Sequence, residues 1–107
     1  METLHYRFEH GSRTVGAPAQ LVGVVGSGNL EVLIEHAALG GACCIEVSTA
    51  AAGFGAIWQA VMADFQRRWQ LADTRIAIND MGATPAVVSL RLDQAVETML
   101  AHAPGAP

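Results

Sequence analysis

The chain has 107 residues, of which 51% are apolar and only 15% are charged. This length and composition predict a single domain with one core and exclude an intrinsically disordered protein. The formal net charge is −4 and the chain contains no lysine, which excludes both a Schiff-base lysine and a P-loop lysine.

Charge and hydropathy also indicate where the protein works. The arginines are dispersed along an acidic chain, so we expect no nucleic-acid binding. No apolar run reaches the roughly 18 residues that a membrane span needs. The segment Met1–Phe8 begins acidic and lacks the apolar core of a secretory signal, so we expect a cytoplasmic protein.

We predict one domain over 1–103 and a frayed tail over 104–107.

The first half of the chain has the pattern of β-strands. Apolar Leu4, Tyr6 and Phe8 alternate with polar residues, as in a half-buried strand. Further strands are predicted over 20–25, 30–35 and 42–48. Because the links between them are short and rich in turn formers, the four strands are predicted to form an antiparallel meander.

The second half begins with a change to helical spacing. The apolar residues at steps of three and four predict a helix with one continuous core-facing stripe: Phe54, Ile57, Trp58, Val61, Met62, Phe65 and Trp69. A strand is then predicted over 74–79, followed by a turn-rich loop over 79–85.

The last segment has two interpretations. Alternation around Val88 and Leu90 favours a short strand, followed by a helix that Asp93 caps. Alternatively, Thr84 is the N-cap and Pro85 the first residue of one longer helix. We prefer the first interpretation. The fold class predicted is α+β, a two-layer sandwich of two helices on a mainly antiparallel sheet.

The cysteines and histidines give no catalytic or metal-binding pattern. Cys43 and Cys44 are adjacent in a predicted strand and should point to opposite faces, so they cannot easily form a disulfide with each other. The four histidines are scattered singly, without the spacing of metal ligands. We therefore predict no metal site. One cysteine should lie in the core, and the other should face outward or pack under a loop.

A serine lies between two glycines in the turn Gly26–Asn29, which joins two predicted strands. The glycines permit unusual backbone angles and leave the hydroxyl of Ser27 open on both sides. No histidine or lysine is near in sequence to activate it, and no helix follows to supply an oxyanion site or a dinucleotide fingerprint. The pattern favours a serine to which another enzyme attaches a group. An ordinary turn on a small non-catalytic interaction module stays open as the alternative.

Several segments together resemble one known family. Val24–Leu33 resembles the prosthetic-group attachment turn of malonate decarboxylase acyl carrier (delta) subunits. Segments Phe54–Val61, Ile78–Pro85 and Arg91–Ala95 resemble the same family, in the same order along nearly the whole chain. The carrier subunit of citrate lyase, which bears the same kind of group, is the main alternative.

The resemblance implies a function for Ser27 within a single acyl carrier domain. The family carries 2'-(5''-phosphoribosyl)-3'-dephospho-CoA on the matching serine through a phosphodiester bond, with Gly26 and Gly28 exposing the hydroxyl. The thiol of that group bears acetyl and malonyl thioesters. The implied partners are the transferase and decarboxylase subunits of malonate decarboxylase, a malonyl transferase and a holo-carrier synthase. The carrier itself is implied to be non-catalytic.

Overall fold

The computed structural model describes residues 1–16 and 18–101. The tail predicted over 104–107 lies outside these residues. The elements in chain order are β1 (Glu2–Phe8), β2 (Arg13–Thr14), β3 (Gln20–Gly23), β4 (Leu30–His36), β5 (Cys43–Thr49), α1 (Gly55–Trp69), β6 (Leu71–Ala72), β7 (Thr74–Asp80) and α2 (Pro85–Ala101).

Both helices pack on one face of a five-stranded sheet, and α2 lies against β3 and β4. In each central strand alternate residues point toward the helices and are buried, such as Val32 in β4, Ile45 in β5 and Ile76 in β7. Three of the four strand pairings are antiparallel. The α+β fold class predicted from the sequence is confirmed.

The predicted meander is wrong in its strand order, which is β1-β5-β7-β4-β3. Only β3 and β4 form a hairpin of consecutive strands. Strand β7 lies between β4 and β5 and runs parallel to β5, with α1 in the connection between them. A parallel pair requires such a crossover, whereas alternation along one strand does not specify which strand it pairs with.

The C-terminal segment forms one helix from Pro85, so the strand preferred for this segment is wrong. Thr84 is the N-cap, because its Oγ accepts a hydrogen bond from the Val87 amide at 3.3 Å. Asp93 is not a cap. It lies within α2, and its carboxylate accepts hydrogen bonds from Arg68 and Trp69 of α1.

The buried residues of α2 recur at helical spacing, as one face of a helix requires: Val88, Leu92, Ala95, Val96 and Met99. Burial against the sheet therefore outweighs the short alternation that favoured a strand.

The apolar stripe of α1 divides into a buried part and an exposed part. Trp58, Met62 and Phe65 are buried in the core as predicted. Phe54 and Ile57 remain 48% and 46% exposed, which corrects their assignment to the core. Phe54 precedes the helix as its N-cap residue.

The adjacent cysteines behave as the strand pattern predicts. Cys43 is buried in the core, whereas Cys44 is partly exposed, and both are free thiols. Burial is the main cause that raises the pKa of the Cys43 thiol to about 12, with a smaller contribution from Cys44. Cys43 is therefore a protonated core residue at neutral pH and not a nucleophile.

Asp73 fixes the connection between β4 and β5. Its Oδ1 accepts hydrogen bonds from the amides of Gly41 at 2.9 Å and Leu39 at 3.0 Å. These bonds, chiefly the one from Gly41, lower the pKa of the Asp73 carboxyl. Because the folded pKa is below the unfolded value of about 3.9, the stabilisation is present above that pH and is lost as the pH falls through the folded pKa.

We expect Asp73→Asn to lower the unfolding midpoint at neutral pH, with a difference from the native chain that shrinks as the pH falls below about 4. Asparagine tolerates the left-handed backbone of this position, where φ is 51°. Urea unfolding at several pH values measures the difference, and Glu46→Gln on the exposed face is the control. A difference that is constant with pH would show that the charge of Asp73 contributes nothing.

Candidate functional site

Ser27 lies at the second position of a closed turn between β3 and β4. The amide of Asn29 donates to the carbonyl of Gly26 at 2.9 Å, which closes the turn. Gly28, at the third position, has a φ of 72°, whereas the φ of Ser27 is not positive. This is the pattern of a type II turn, which strongly favours glycine at the third position.

The chain leaves the sheet earlier than predicted, at Gly23 and not after Val25. Gly23 has a φ of 85°, and a Cβ there would lie 2.2 Å from the Leu30 carbonyl oxygen. Only glycine fits this position. Val24 and Val25 consequently project from the sheet and are 61% and 54% exposed.

The turn is tied to the loop that follows β7. The amide of Gly28 donates to the carbonyl of Met81, and the amide of Met81 donates to the carbonyl of Asn29, both at 2.9 Å. The bond from Met81 to Asn29 continues the register of the β4–β7 pair beyond Leu30 and Asp80, whereas Gly28 takes the place of Asn29 as the donor to Met81. The backbone around Ser27 is therefore anchored to the residue that directly follows the central strand β7.

The surroundings of Ser27 are open. Ser27 is exposed, a Cβ at Gly28 would meet nothing within 4 Å, and one at Gly26 would meet only the Val24 side chain at 4.0 Å. Within residues 1–16 and 18–101 the Ser27 hydroxyl forms no hydrogen bond, so it has no direct contact there with a histidine or a carboxylate. The geometry presents a hydroxyl to an external reagent.

Asp80 joins three segments beside this turn. Its carboxylate accepts hydrogen bonds from the Thr49 hydroxyl at 2.8 Å and from the Ala83 amide at 2.9 Å. Its carbonyl accepts the Ala50 amide at 3.0 Å. Strand β5 is parallel to β7, and β4 is antiparallel to β7. The start of β4 and the last residues of β5 and β7 therefore lie at the same end of the sheet as the Ser27 turn.

An apolar cleft of about 300 Å³ opens at the same end of the sheet, between the first turns of the two helices. Its apolar wall includes the half-exposed Phe54 and Ile57 together with Trp58, Pro85 and Val88. Sequence reasoning missed this cleft, because it assigned the whole stripe of α1 to the core. No sequence signal marks the cleft, because the same apolar spacing runs through the exposed Phe54 and Ile57 and the buried Trp58.

Arg91 of α2 contacts the turn. Its Nε donates to Asn29 Oδ1 at 3.3 Å, and its Nη1 donates to Gln94 Oε1 at 2.9 Å. The Asn29 side chain also accepts the Leu30 amide at 2.8 Å. The residue that closes the Ser27 turn is thus held by α2. The pairing of Asn29 with Arg91 spans 62 positions and could not be read from local patterns.

Two kinds of feature are absent from residues 1–16 and 18–101. No group of three or more histidine, cysteine, aspartate or glutamate side chains there is arranged to hold a metal ion. No helix among the same residues is long and apolar enough to cross a membrane.

Comparison with known proteins gives consistent matches. Residues 18–99 match the family model described as malonate decarboxylase delta subunit (MdcD). The malonate decarboxylase acyl carrier protein of Stenotrophomonas maltophilia (strain K279a) is 64% identical over 106 residues, which covers 97% of this chain and 99% of the relative. That of Xanthomonas campestris pv. campestris (strain B100) is 63% identical over 101 residues, covering 92% and 95%.

A solved structure has the same fold. It is a chain in the crystal structure of a Pseudomonas malonate decarboxylase hetero-tetramer in complex with malonate, at 42% identity and a TM-score of 0.78. The match covers 92% of this chain and 99% of that chain. Family model, relatives and fold agree over nearly the whole length. This chain belongs to the malonate decarboxylase delta-subunit family of acyl carrier proteins.

Proposed function

We propose that this chain is the non-catalytic acyl carrier subunit of a cytoplasmic malonate decarboxylase and that Ser27 is its sole attachment site. The single observation that carries the proposal is the exposed Ser27 hydroxyl on an anchored turn with open space around both flanking glycines. The names of the relatives favour this function over a citrate lyase carrier or an interaction module of another kind.

The proposed prosthetic group is 2'-(5''-phosphoribosyl)-3'-dephospho-CoA, joined to Ser27 through a phosphodiester. When bound, the group supplies a terminal thiol that carries acetyl and malonyl groups as thioesters. The residues present fit such a group, because no side chain crowds the hydroxyl and Gly26 and Gly28 leave room for a bulky donor.

The contribution of the protein is to position the serine. Two backbone hydrogen bonds to Met81 hold the turn on the sheet, and Arg91 holds Asn29 at its end. The Ser27 hydroxyl has no direct contact with a described histidine or carboxylate. We therefore assign decarboxylation and acyl exchange to the partners: the transferase and decarboxylase subunits and a malonyl transferase. A holo-carrier synthase would attach the group.

Reconstitution tests this function. The partner subunits should release carbon dioxide from malonate only when the loaded carrier is added, and the Ser27→Ala carrier should not support release. The purified carrier alone should neither decarboxylate malonate nor hydrolyse simple esters. Equal turnover without the carrier would contradict the proposal, as would turnover by the pure chain that Ser27→Ala removes.

Gly28→Val should leave the chain folded but slow the attachment of the group strongly. A valine at a φ of 72° is strained, at about 1–3 kcal/mol for one exposed turn, which the domain should survive. Its branched side chain would also lie beside the hydroxyl that the synthase must reach. Circular dichroism and thermal melting check the fold, and intact mass against time measures attachment.

Gly28→Asn is the matched control for this prediction, because asparagine tolerates a positive φ better than valine and is not β-branched. We expect it to be loaded at a rate between those of the native chain and Gly28→Val. Loading of Gly28→Val at the native rate would contradict the idea that the glycines keep the serine accessible.

A further inference from the structure

Arg91 differs from the other paired arginines in the kind of partner it has. Arg7, Arg67 and Arg68 each form an ion pair with a carboxylate. In the part of the chain that the structure describes, Arg91 has no carboxylate within 4.0 Å and donates to two amide oxygens, those of Asn29 and Gln94. None of the described carboxylates therefore forms an ion pair with it.

Arg91 is also partly shielded from water. Its side chain is partly buried beside Gly23, where a Cβ would lie 3.4 Å from Arg91 Cδ. A cation that is partly shielded from water interacts more strongly with a nearby anion than a fully exposed cation does, because the effective dielectric constant is lower. An anion that is absent from the polypeptide itself would supply the missing partner.

The guanidinium contacts the turn that carries the proposed attachment serine. It donates to Asn29, the fourth residue of the turn, and Ser27 is the second residue of the same turn. The whole turn spans less than about 7 Å between the Cα atoms of Gly26 and Asn29. Arg91 has five N–H donors, of which two take part in the described bonds. Its planar group matches the oxygens of a phosphate.

We propose that Arg91 is the counter-ion of the phosphodiester on Ser27, so that the guanidinium binds a phosphate oxygen of the attached group. This inference rests on the proposed function, because it requires a phosphate at that serine. Arg91 would then act in two ways: it holds Asn29 in the turn before attachment and neutralises the new negative charge afterwards.

Nuclear magnetic resonance of the native chain tests the proposal without any variant. The Nε–H resonance of Arg91 should shift between the unloaded and the loaded protein at low salt, and the shift should diminish as salt is added. Arg75, an exposed arginine at the other end of β7, is the internal control and should not shift. An Arg91 resonance that is unchanged by loading would overturn the proposal.

Variants give a second measurement. In the loaded protein, Arg91→Gln should shift the ³¹P resonance of the serine-linked phosphodiester, whereas Arg75→Gln should leave it in place. Arg91→Lys keeps the charge but not the planar fork and should give a smaller shift. An unchanged ³¹P resonance in Arg91→Gln would mean that Arg91 only orders the turn.

The two proposals fail in different ways. If the native protein carries no phosphodiester on Ser27, the proposed function fails and this inference fails with it. If Ser27 is loaded but neither the Arg91 resonance nor the ³¹P resonance responds, only the role of Arg91 is wrong.

Discussion

Replacing Ser27 with alanine should abolish attachment of the prosthetic group completely and leave the fold intact. The hydroxyl is exposed and forms no hydrogen bond with the described residues, so its removal breaks no contact there. Intact mass after incubation with the synthase and its donor should show a chain that gains nothing. The thermal unfolding midpoint should match that of the unloaded native protein.

Two other hydroxyls near the same edge provide controls. Thr49 is buried, and its hydroxyl donates to Asp80, so an enzyme cannot reach it without local unfolding. Ser48 is partly buried within β5. We expect Ser48→Ala to be loaded as fully as the native chain. Added mass that survives in Ser27→Ala would move the attachment site to another hydroxyl.

Truncation of Trp58 to alanine should cost about 3–5 kcal/mol of the free energy of unfolding, the usual range for a large aromatic residue in a core. The side chain is only 6% exposed and belongs to the buried cluster that includes Met62 and Phe65. It also forms part of the wall of the apolar cleft. Urea unfolding monitored by circular dichroism measures the change.

Ile57→Ala is the matched control, because Ile57 precedes Trp58 on α1 and is 46% exposed. Its truncation should cost much less, since little of its surface leaves water on folding. If Trp58→Ala is as stable as the native chain but is loaded slowly, Trp58 docks a partner. Its burial would then contribute little to the free energy of unfolding.

The individual elements could be predicted from the sequence because their periods are local. The alternation of Leu4, Tyr6 and Phe8 and the helical spacing of Trp58, Met62 and Phe65 each reflect one buried face. The strand order could not be predicted. Every central strand has the same alternation, and alternation does not specify which strand lies beside it in the sheet. In α2, a few residues alternate as they would in a strand, and only the burial pattern over about three turns shows the helix.

The candidate site also has a part that could be predicted from local sequence and a part that could not. The turn around Ser27 was predictable, since glycine and asparagine in a short link between strands mark a turn regardless of what surrounds it. Its anchoring to Met81 and the contact between Asn29 and Arg91 depend on tertiary structure. The exposed start of α1 was missed, because hydrophobic spacing shows which face of a helix is apolar but not how far the sheet extends beneath it.

Fragmentation mass spectrometry of the protein purified from its native host shows whether Ser27 carries the prosthetic group. We predict an intact mass that exceeds the sequence by one phosphoribosyl-dephospho-CoA group. Fragments that contain Ser27 should carry the whole of this addition, and fragments that contain Ser48 and Thr49 but not Ser27 should carry none. An unmodified native protein that still supports decarboxylation by its partners would contradict the account.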